Sequence, residues 1–127
     1  MTVPTDLRYT RDHEWVRIHG EEAVVGITQY AADQLGDIVF VELPDAGREL
    51  EASRPFGVVE SVKAVSDLFA PLTGAVTAVN DELTGGPELV NSDPYGRGWM
   101  IRLRIGDPTQ LDDLLDGDAY DMLVAAG

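Results

Sequence analysis

The sequence predicts a mainly β fold, a sandwich or flattened barrel with helices only at its edges. Three observations predict it. Short β-prone runs recur along the chain between clusters of turn-forming residues. One of them sets Trp99, Ile101, Leu103 and Ile105 against Met100, Arg102 and Arg104, the alternation of a half-buried strand. Helix signals are confined to one short segment after Thr28 and to the stretch that follows Asp107.

Taken in order, His13 to Ile18 and Ala23 to Ile27 are β-prone runs joined by His19-Gly20-Glu21-Glu22, a hairpin signal with glycine in the loop. Thr28 is placed as an N-cap before Gln29 to Leu35, and Gly36 as the stop of a helix of about two turns. Ile38 to Leu43 is nearly continuous apolar and β-branched, so a central strand covered on both faces is expected there. Pro44 to Gly47 is turn chemistry, and Arg48 to Glu51 is a weak polar segment. Val58-Val59 and Leu68-Phe69 bracket a polar centre and read as two strands meeting at a turn, followed by a strand over Gly74 to Val79. Asn80 to Gly98, rich in Gly, Pro, Asn and Asp, is expected to be a long structured loop with a helical turn around Asp81-Glu82-Leu83. Asp107-Pro108-Thr109-Gln110 starts a helix with Leu111, Leu114 and Leu115 as its apolar face. Gly117 breaks it, and Ala119 to Ala126 form a last helix capped by Asp118.

The polar centre of the hairpin holds Lys63. Of the nine basic residues other than histidine, all the rest are arginine, which leaves Lys63 as the only lysine. An ammonium on a flexible four-carbon stem can lose its proton and attack an activated acyl group, whereas a guanidinium stays protonated. Lysine count alone fits equally a covalent attachment point and a stray surface lysine in a chain that writes arginine. The setting favours attachment, because a hairpin tip is exposed and presented to other proteins. The centre of the hairpin contains no Asn-Gly or Asp-Gly, so an ordinary type I turn is expected in place of a mirror-image one. Glu60 and Asp67 flank the lysine with negative charge that a modifying enzyme can read as an address.

With 127 residues and 44% hydrophobic content, one domain is expected over residues 1–127, a core at about 8–105 and a helical tail at 107–126. Cysteine is absent, so disulfides, thiolate metal sites and cysteine nucleophiles are excluded, and any redox sulfur must come from a bound group. A net charge of −14 argues against nucleic acid or an anionic membrane surface as partner. No apolar run reaches the roughly 20 residues that span a bilayer. Met1 to Arg8 lacks the features of a signal or transit peptide, and a cytoplasmic bacterial protein is expected. His13 and His19 are the only histidines and are read as strand-edge polar residues, with no metal site. The acids Asp112, Asp113, Asp116, Asp118 and Asp121 do not follow the calcium-loop pattern, and Gly85-Gly86-Pro87 lacks the ending of a phosphate loop. No nucleophile has a base beside it, so the chain reads as a substrate and not as an enzyme.

Glu60-Ser61-Val62-Lys63-Ala64-Val65-Ser66-Asp67 resembles the lipoylation site of the glycine cleavage system H-protein family, part of the lipoyl/biotinyl domain superfamily. Pro71-Leu72-Thr73-Gly74-Ala75-Val76 is similar to the return strand shared by lipoyl and biotinyl domains, and Val62 and Ala64 stand where biotinyl domains usually have methionine. Asp12 to Val16, Gly26 to Ala31, Leu35 to Pro44 and Asn91 to Met100 are also similar to segments of that family, in its order. The resemblance implies a barrel-sandwich hybrid with short peripheral and C-terminal helices. It implies lipoic acid in amide linkage on Lys63, and Glu60, Ser61 and Asp67 as recognition residues for the lipoate-attaching enzyme. It further implies a cycle in one-carbon metabolism and glycine catabolism: a glycine decarboxylase loads an aminomethyl group onto the arm, an aminomethyltransferase removes it, and a dihydrolipoyl dehydrogenase reoxidises the dithiol. Glu14 and Asp67 are the candidates for a cleft in which the loaded arm rests, since its cationic amine needs a carboxylate. The alternative within the superfamily is a lipoyl or biotinyl carrier domain of another multienzyme complex. Outside it stand a small Schiff-base lysine catalyst, which needs a buried lysine, and an unmodified interaction module.

Overall fold

The computed structural model describes residues 3–126. Its strands form two antiparallel sheets, with no closed barrel, and share one core between their inner faces. The larger sheet runs β1 (Arg8–Tyr9), β2 (Glu14–His19), β3 (Glu22–Ile27), β9 (Ile101–Ile105), β8 (Gly74–Val79), β5 (Glu49–Leu50). The smaller runs β4 (Ile38–Glu42), β6 (Pro55–Ser61), β7 (Val65–Phe69), so β6 is central and β4 and β7 are edges.

The β2–β3 hairpin closes at His19↔Glu22. Gly20, at φ +60°, takes the left-handed first turn position that a side chain disfavours. Trp15 pairs with Gly26, and a Cβ at Gly26 would stand 2.7 Å from the indole, so the glycine makes room for the ring. The indole N–H donates to Pro94 O at 2.9 Å, and the Arg17 guanidinium stacks at 4.9 Å from the ring centre. Helix α1 (Gln29–Leu35) follows the expected boundaries: the Thr28 hydroxyl accepts from Ala31 N–H, and Gly36, at φ +84°, returns its N–H to Ala32 O.

Burial on both faces falls on β3 and not on Ile38 to Leu43. Along β3, Ala23, Val25 and Ile27 enter the main core, while Val24 joins a second cluster with Tyr9, Trp15 and Tyr120 on the opposite face. That second cluster exists because the N-terminal segment and the C-terminal helix fold over the outside of the larger sheet. β4 instead lies at a sheet edge with Val39 and Phe40 in solvent. The other departures are local. Two short helices, α2 (Glu82–Gly85) and α3 (Leu89–Ser92), interrupt the long segment after Asn80, whose buried amide holds it together by donating to Arg97 O and Trp99 O. Met100, expected outward with Arg102 and Arg104, is buried, because its backbone is bonded between Val25 O and Asn80 N before the alternation begins.

In the tail, Asp107 caps a 3₁₀ helix, Pro108–Asp113. The Gln110 side chain bonds to Thr73 instead of reaching back to its cap. Gly117 begins the last helix, α4 (Gly117–Ala126), instead of ending its predecessor, and Asp116 caps it, not Asp118, by accepting Ala119 N–H at 2.8 Å. Reciprocal bonds of 2.8 Å between Tyr9 and Leu115 seat this tail on β1. Among the described residues no helix is long and apolar enough to cross a membrane.

Replacing Gly26 by alanine drives a methyl into the Trp15 ring. The expected cost is about 1–3 kcal/mol of stability, read as a lower urea midpoint with the indole fluorescence shifted toward that of exposed tryptophan.

Candidate functional site

The β6–β7 hairpin pairs from Pro55↔Phe69 to Glu60↔Val65, with a register shift between Pro55 and Gly57 and regular pairing from Gly57 onward, and Val62, Lys63 and Ala64 connect the strands. Ser61 builds the turn: its N–H donates to Ala64 O at 2.8 Å, and its hydroxyl accepts from Ala64 N–H at 3.0 Å and Lys63 N–H at 3.3 Å. Neither Val62 nor Lys63 has positive φ, which excludes a mirror-image turn as the sequence led one to expect. Val62 N–H also donates to Asp37 O at 3.0 Å, so the tip leans on the start of β4.

That support is itself pinned. The Asn91 side chain donates to Gly36 O at 2.9 Å and accepts Ile38 N–H at 2.8 Å, holding residues 36–38 from both ends. The Lys63 stem lies across Gly36: its Cε is 3.3 Å from where a Cβ on that residue would stand. Lys63 is exposed, and among the described residues its amine enters no ion pair. A lysine so exposed is open to acylation and unsuited to Schiff-base catalysis, which needs the amine buried in an apolar pocket. Sequence reasoning missed Gly36 and Asn91. Gly36 was legible only as a helix stop, and Asn91 only as a loop residue.

Glu60 and Asp67 sit on the outer face of the smaller sheet, Glu60 half-buried opposite Val65 and Asp67 exposed opposite Val58. Glu14 is in a different environment. At the start of β2 it is only 2% exposed, with Oε1 accepting the Thr10 hydroxyl at 2.7 Å and Oε2 accepting Phe69 N–H at 3.2 Å. Its carboxyl thereby joins the two sheets. Burial pushes its pKa up to about 8; the Thr10 and Phe69 hydrogen bonds pull the other way without offsetting it, and the charge of Asp12 adds to the rise. Asp67 lies two residues before Phe69 on β7 but makes no side-chain hydrogen bond to Glu14. The two acids therefore neighbour one strand without touching, one neutralised in the interior and one in water.

The histidines are elsewhere engaged. His13 is half-buried in the turn before β2, at φ +69°, with Nδ1 2.7 Å from the Tyr120 hydroxyl, which also meets Thr28 Oγ1 at 2.8 Å. Burial lowers its pKa and burial raises that of Tyr120 to about 12. It is a strut between the first turn and α4, not a polar residue on a strand edge. His19 is exposed at the end of β2. Among the described residues no group of three or more His, Cys, Asp or Glu side chains is placed to hold a metal ion.

Residues 7–126 match the family described as Glycine cleavage H-protein. A probable glycine cleavage system H protein of Haloarcula marismortui is 61% identical over 118 residues, covering 93% of each chain. A glycine cleavage system H protein of Symbiobacterium thermophilum is 55% identical over 125 residues, 98% of each chain. Among solved structures, the crystal structure of a glycine cleavage system H protein from Mycobacterium marinum superposes with a TM-score of 0.82 at 39% identity, covering 93% of this chain and 95% of that one.

The raised pKa of Glu14 has a signed consequence for stability. The folded chain holds this proton more tightly than the unfolded one, so the contribution is complete below the ordinary carboxylate value of 4.5 and is lost as pH rises toward about 8. In urea titrations across that window, wild-type stability should fall more steeply with pH than that of Glu14→Gln, which keeps the shape and cannot ionise. Parallel curves would mean that Glu14 is ionised throughout.

Proposed function

This chain belongs to the glycine cleavage H-protein family, a family of lipoyl carriers and not of catalysts, and from that premise we propose that it is the lipoylated carrier of a glycine cleavage system, with lipoate in amide linkage on Lys63. The observation that carries the reading is the sole lysine of the sequence standing exposed at the tip of a braced hairpin. The residues present fit the group. The amine enters no ion pair among the described residues, Gly36 leaves the stem an open bed, and the cysteine-free chain has no thiol of its own to exchange with a dithiolane. When attached, a lipoyl group supplies the disulfide that accepts an aminomethyl fragment from a glycine decarboxylase, yields it to an aminomethyltransferase and is reoxidised by a dihydrolipoyl dehydrogenase.

The polypeptide's part is physical. Ser61 and the Val62–Asp37 bond hold the root of the arm still, so that its reach is set by the side chain and not by hairpin wobble. A fixed root on a soluble carrier converts each transfer into delivery from a tethered group. Glu60, Ser61 and Asp67 form the address read by the lipoate-attaching enzyme, with Ser61 acting through the turn it shapes. Glu14 and Asp67 form the resting place of the loaded arm. A cationic amine approaching between them stabilises the Glu14 carboxylate that burial otherwise disfavours, using the lone pairs left beside the Thr10 and Phe69 hydrogen bonds.

Protein made in a host supplied with lipoate should resist a lysine-specific protease, whereas unmodified chain is cut once, after Lys63; complete cleavage of the lipoate-exposed sample would remove the carrier reading. Lys63→Arg should shift stability by less than about 0.5 kcal/mol and support no glycine–CO₂ exchange with a glycine decarboxylase. For the resting place, Glu14→Gln should accept lipoate normally yet shorten the lifetime of the methylamine-loaded form several-fold, followed by mass spectrometry. An unchanged lifetime would place the arm elsewhere.

A further inference from the structure

The smaller sheet turns one face to the core and the other to solvent, and near Lys63 the solvent face is apolar. Register sets Phe40, Glu60 and Val65 side by side across its three strands, with Glu42, Val58 and Asp67 as the next row on that face. Phe40 is 48% exposed and Val65 68%. The bulge between Ile38 and Phe40 brings Val39 into solvent as well, at 52%, and Val62 in the turn is 68% exposed. These four are gathered around one lysine, while Ile18 and Met122, the other two exposed large apolar residues among those described, lie on β2 and α4. Scattered exposed apolar residues need no explanation; a cluster at one site does.

We propose that this patch is the docking surface for the enzyme that acylates Lys63, as distinct from the enzymes that later use the arm. The inference rests on the carrier reading of Lys63. Reach decides between the two classes of partner. Before modification the amine stands only a four-carbon stem from the backbone, and that stem lies along Gly36. To form the amide, an acyl carbonyl must come within about 3–3.5 Å of Nζ, so the enzyme has to close over Val62, Val65, Phe40 and Val39. Once acylated, the arm is longer by the whole lipoyl chain, and an active site can be entered from farther out without covering the patch.

Charge defines the rest of the partner. Glu60 interrupts the apolar row, Glu42 and Asp67 border it, and among the described residues none of the three is ion-paired. The complementary surface has an apolar centre that seats Phe40 and a rim of cations. In the step it serves, the unprotonated Nζ attacks the carbonyl of a lipoyl adenylate and the C–N bond forms. The C–O bond to phosphate breaks, AMP leaves with the electron pair, and the ammonium proton passes to a base on the enzyme. Nothing is oxidised or reduced.

The experiment takes unmodified wild type, Phe40→Ser, Val65→Thr and, as a remote control, Met122→Ser, with matched urea midpoints confirming folding. Each is titrated against a lipoate ligase with lipoate and ATP, and amide formation is followed by mass. Phe40→Ser should lose tenfold or more in kcat/KM through KM, Val65→Thr less, and Met122→Ser nothing. Phe40→Ser driven to full lipoylation should then match wild type within twofold in glycine–CO₂ exchange with a glycine decarboxylase. Wild-type efficiency in the ligation, or an equal loss in both reactions, overturns the proposal. So does sedimentation showing a wild-type dimer that Phe40→Ser dissociates while ligation is unchanged. Failure of the wild type itself to accept lipoate overturns the carrier reading instead.

Discussion

The presentation of Lys63 depends on a buried carboxyl at the other end of the hairpin. Glu14 starts the second strand of the larger sheet and bonds the backbone of Phe69, the last residue of β7 in the smaller one. Taking a carboxylate out of water costs far more than one hydrogen bond returns, and the group answers by holding its proton, with a pKa near 8. A neutral carboxyl with both oxygens engaged is an affordable clasp. Below it, β6 and β7 contribute Phe56, Val59 and Leu68 to the common core; above it, the hairpin runs on to the turn. The root of the hairpin is thus fixed by packing and by one polar contact, and the tip inherits that fixity.

At the tip itself no packing is available, so hydrogen bonds replace it. Ser61 closes the turn, Asp37 receives Val62, and Asn91 holds the Asp37 segment through its two neighbours. The chain of support runs from α3 through the end of α1 to the lysine, and Gly36 joins two roles in it. Its left-handed φ ends α1 and turns the chain toward β4, and its missing side chain gives the Lys63 stem a surface to lie on. A residue that sequence reading treats as punctuation therefore shapes the site.

Much of this was legible in the sequence. The hairpin around Lys63, the Thr28 cap and Gly36 stop, and the alternation in Ile101 to Ile105 are local signals, and local signals survive folding. What was not legible is set by which segment covers which face. Val24 and Val41 are both β-branched residues in apolar runs, yet Val24 is covered by the N-terminal segment and α4 while the neighbours of Val41 meet solvent. No pattern within either strand records that docking. The same holds for Asp116 and Asp118, both acceptable caps for a following helix: the Tyr9–Leu115 bridge brings the chain to α4 at Asp116, and the helix starts there. Glu14 stands out in the sequence as a cleft acid but its burial does not, because burial of a carboxyl depends on a strand from another sheet.

An apolar edge strand is a hazard that folded proteins suppress. β4 carries two suppressing devices, the bulge at Val39, which interrupts its pairing register, and Glu42 on the solvent face, in one row with Asp67 of the opposite edge strand β7. A net charge of −14 adds long-range repulsion between copies. These devices leave Phe40 and its neighbours exposed while making the chain a poor partner for itself. The exposure is then selective. A surface that resembles this one in charge is repelled, and a surface that offers cations around an apolar centre is drawn in and can seat the ring. Acidic charge and exposed apolar side chains, which read separately as solubility and as risk, work together as a filter on who may approach the lysine.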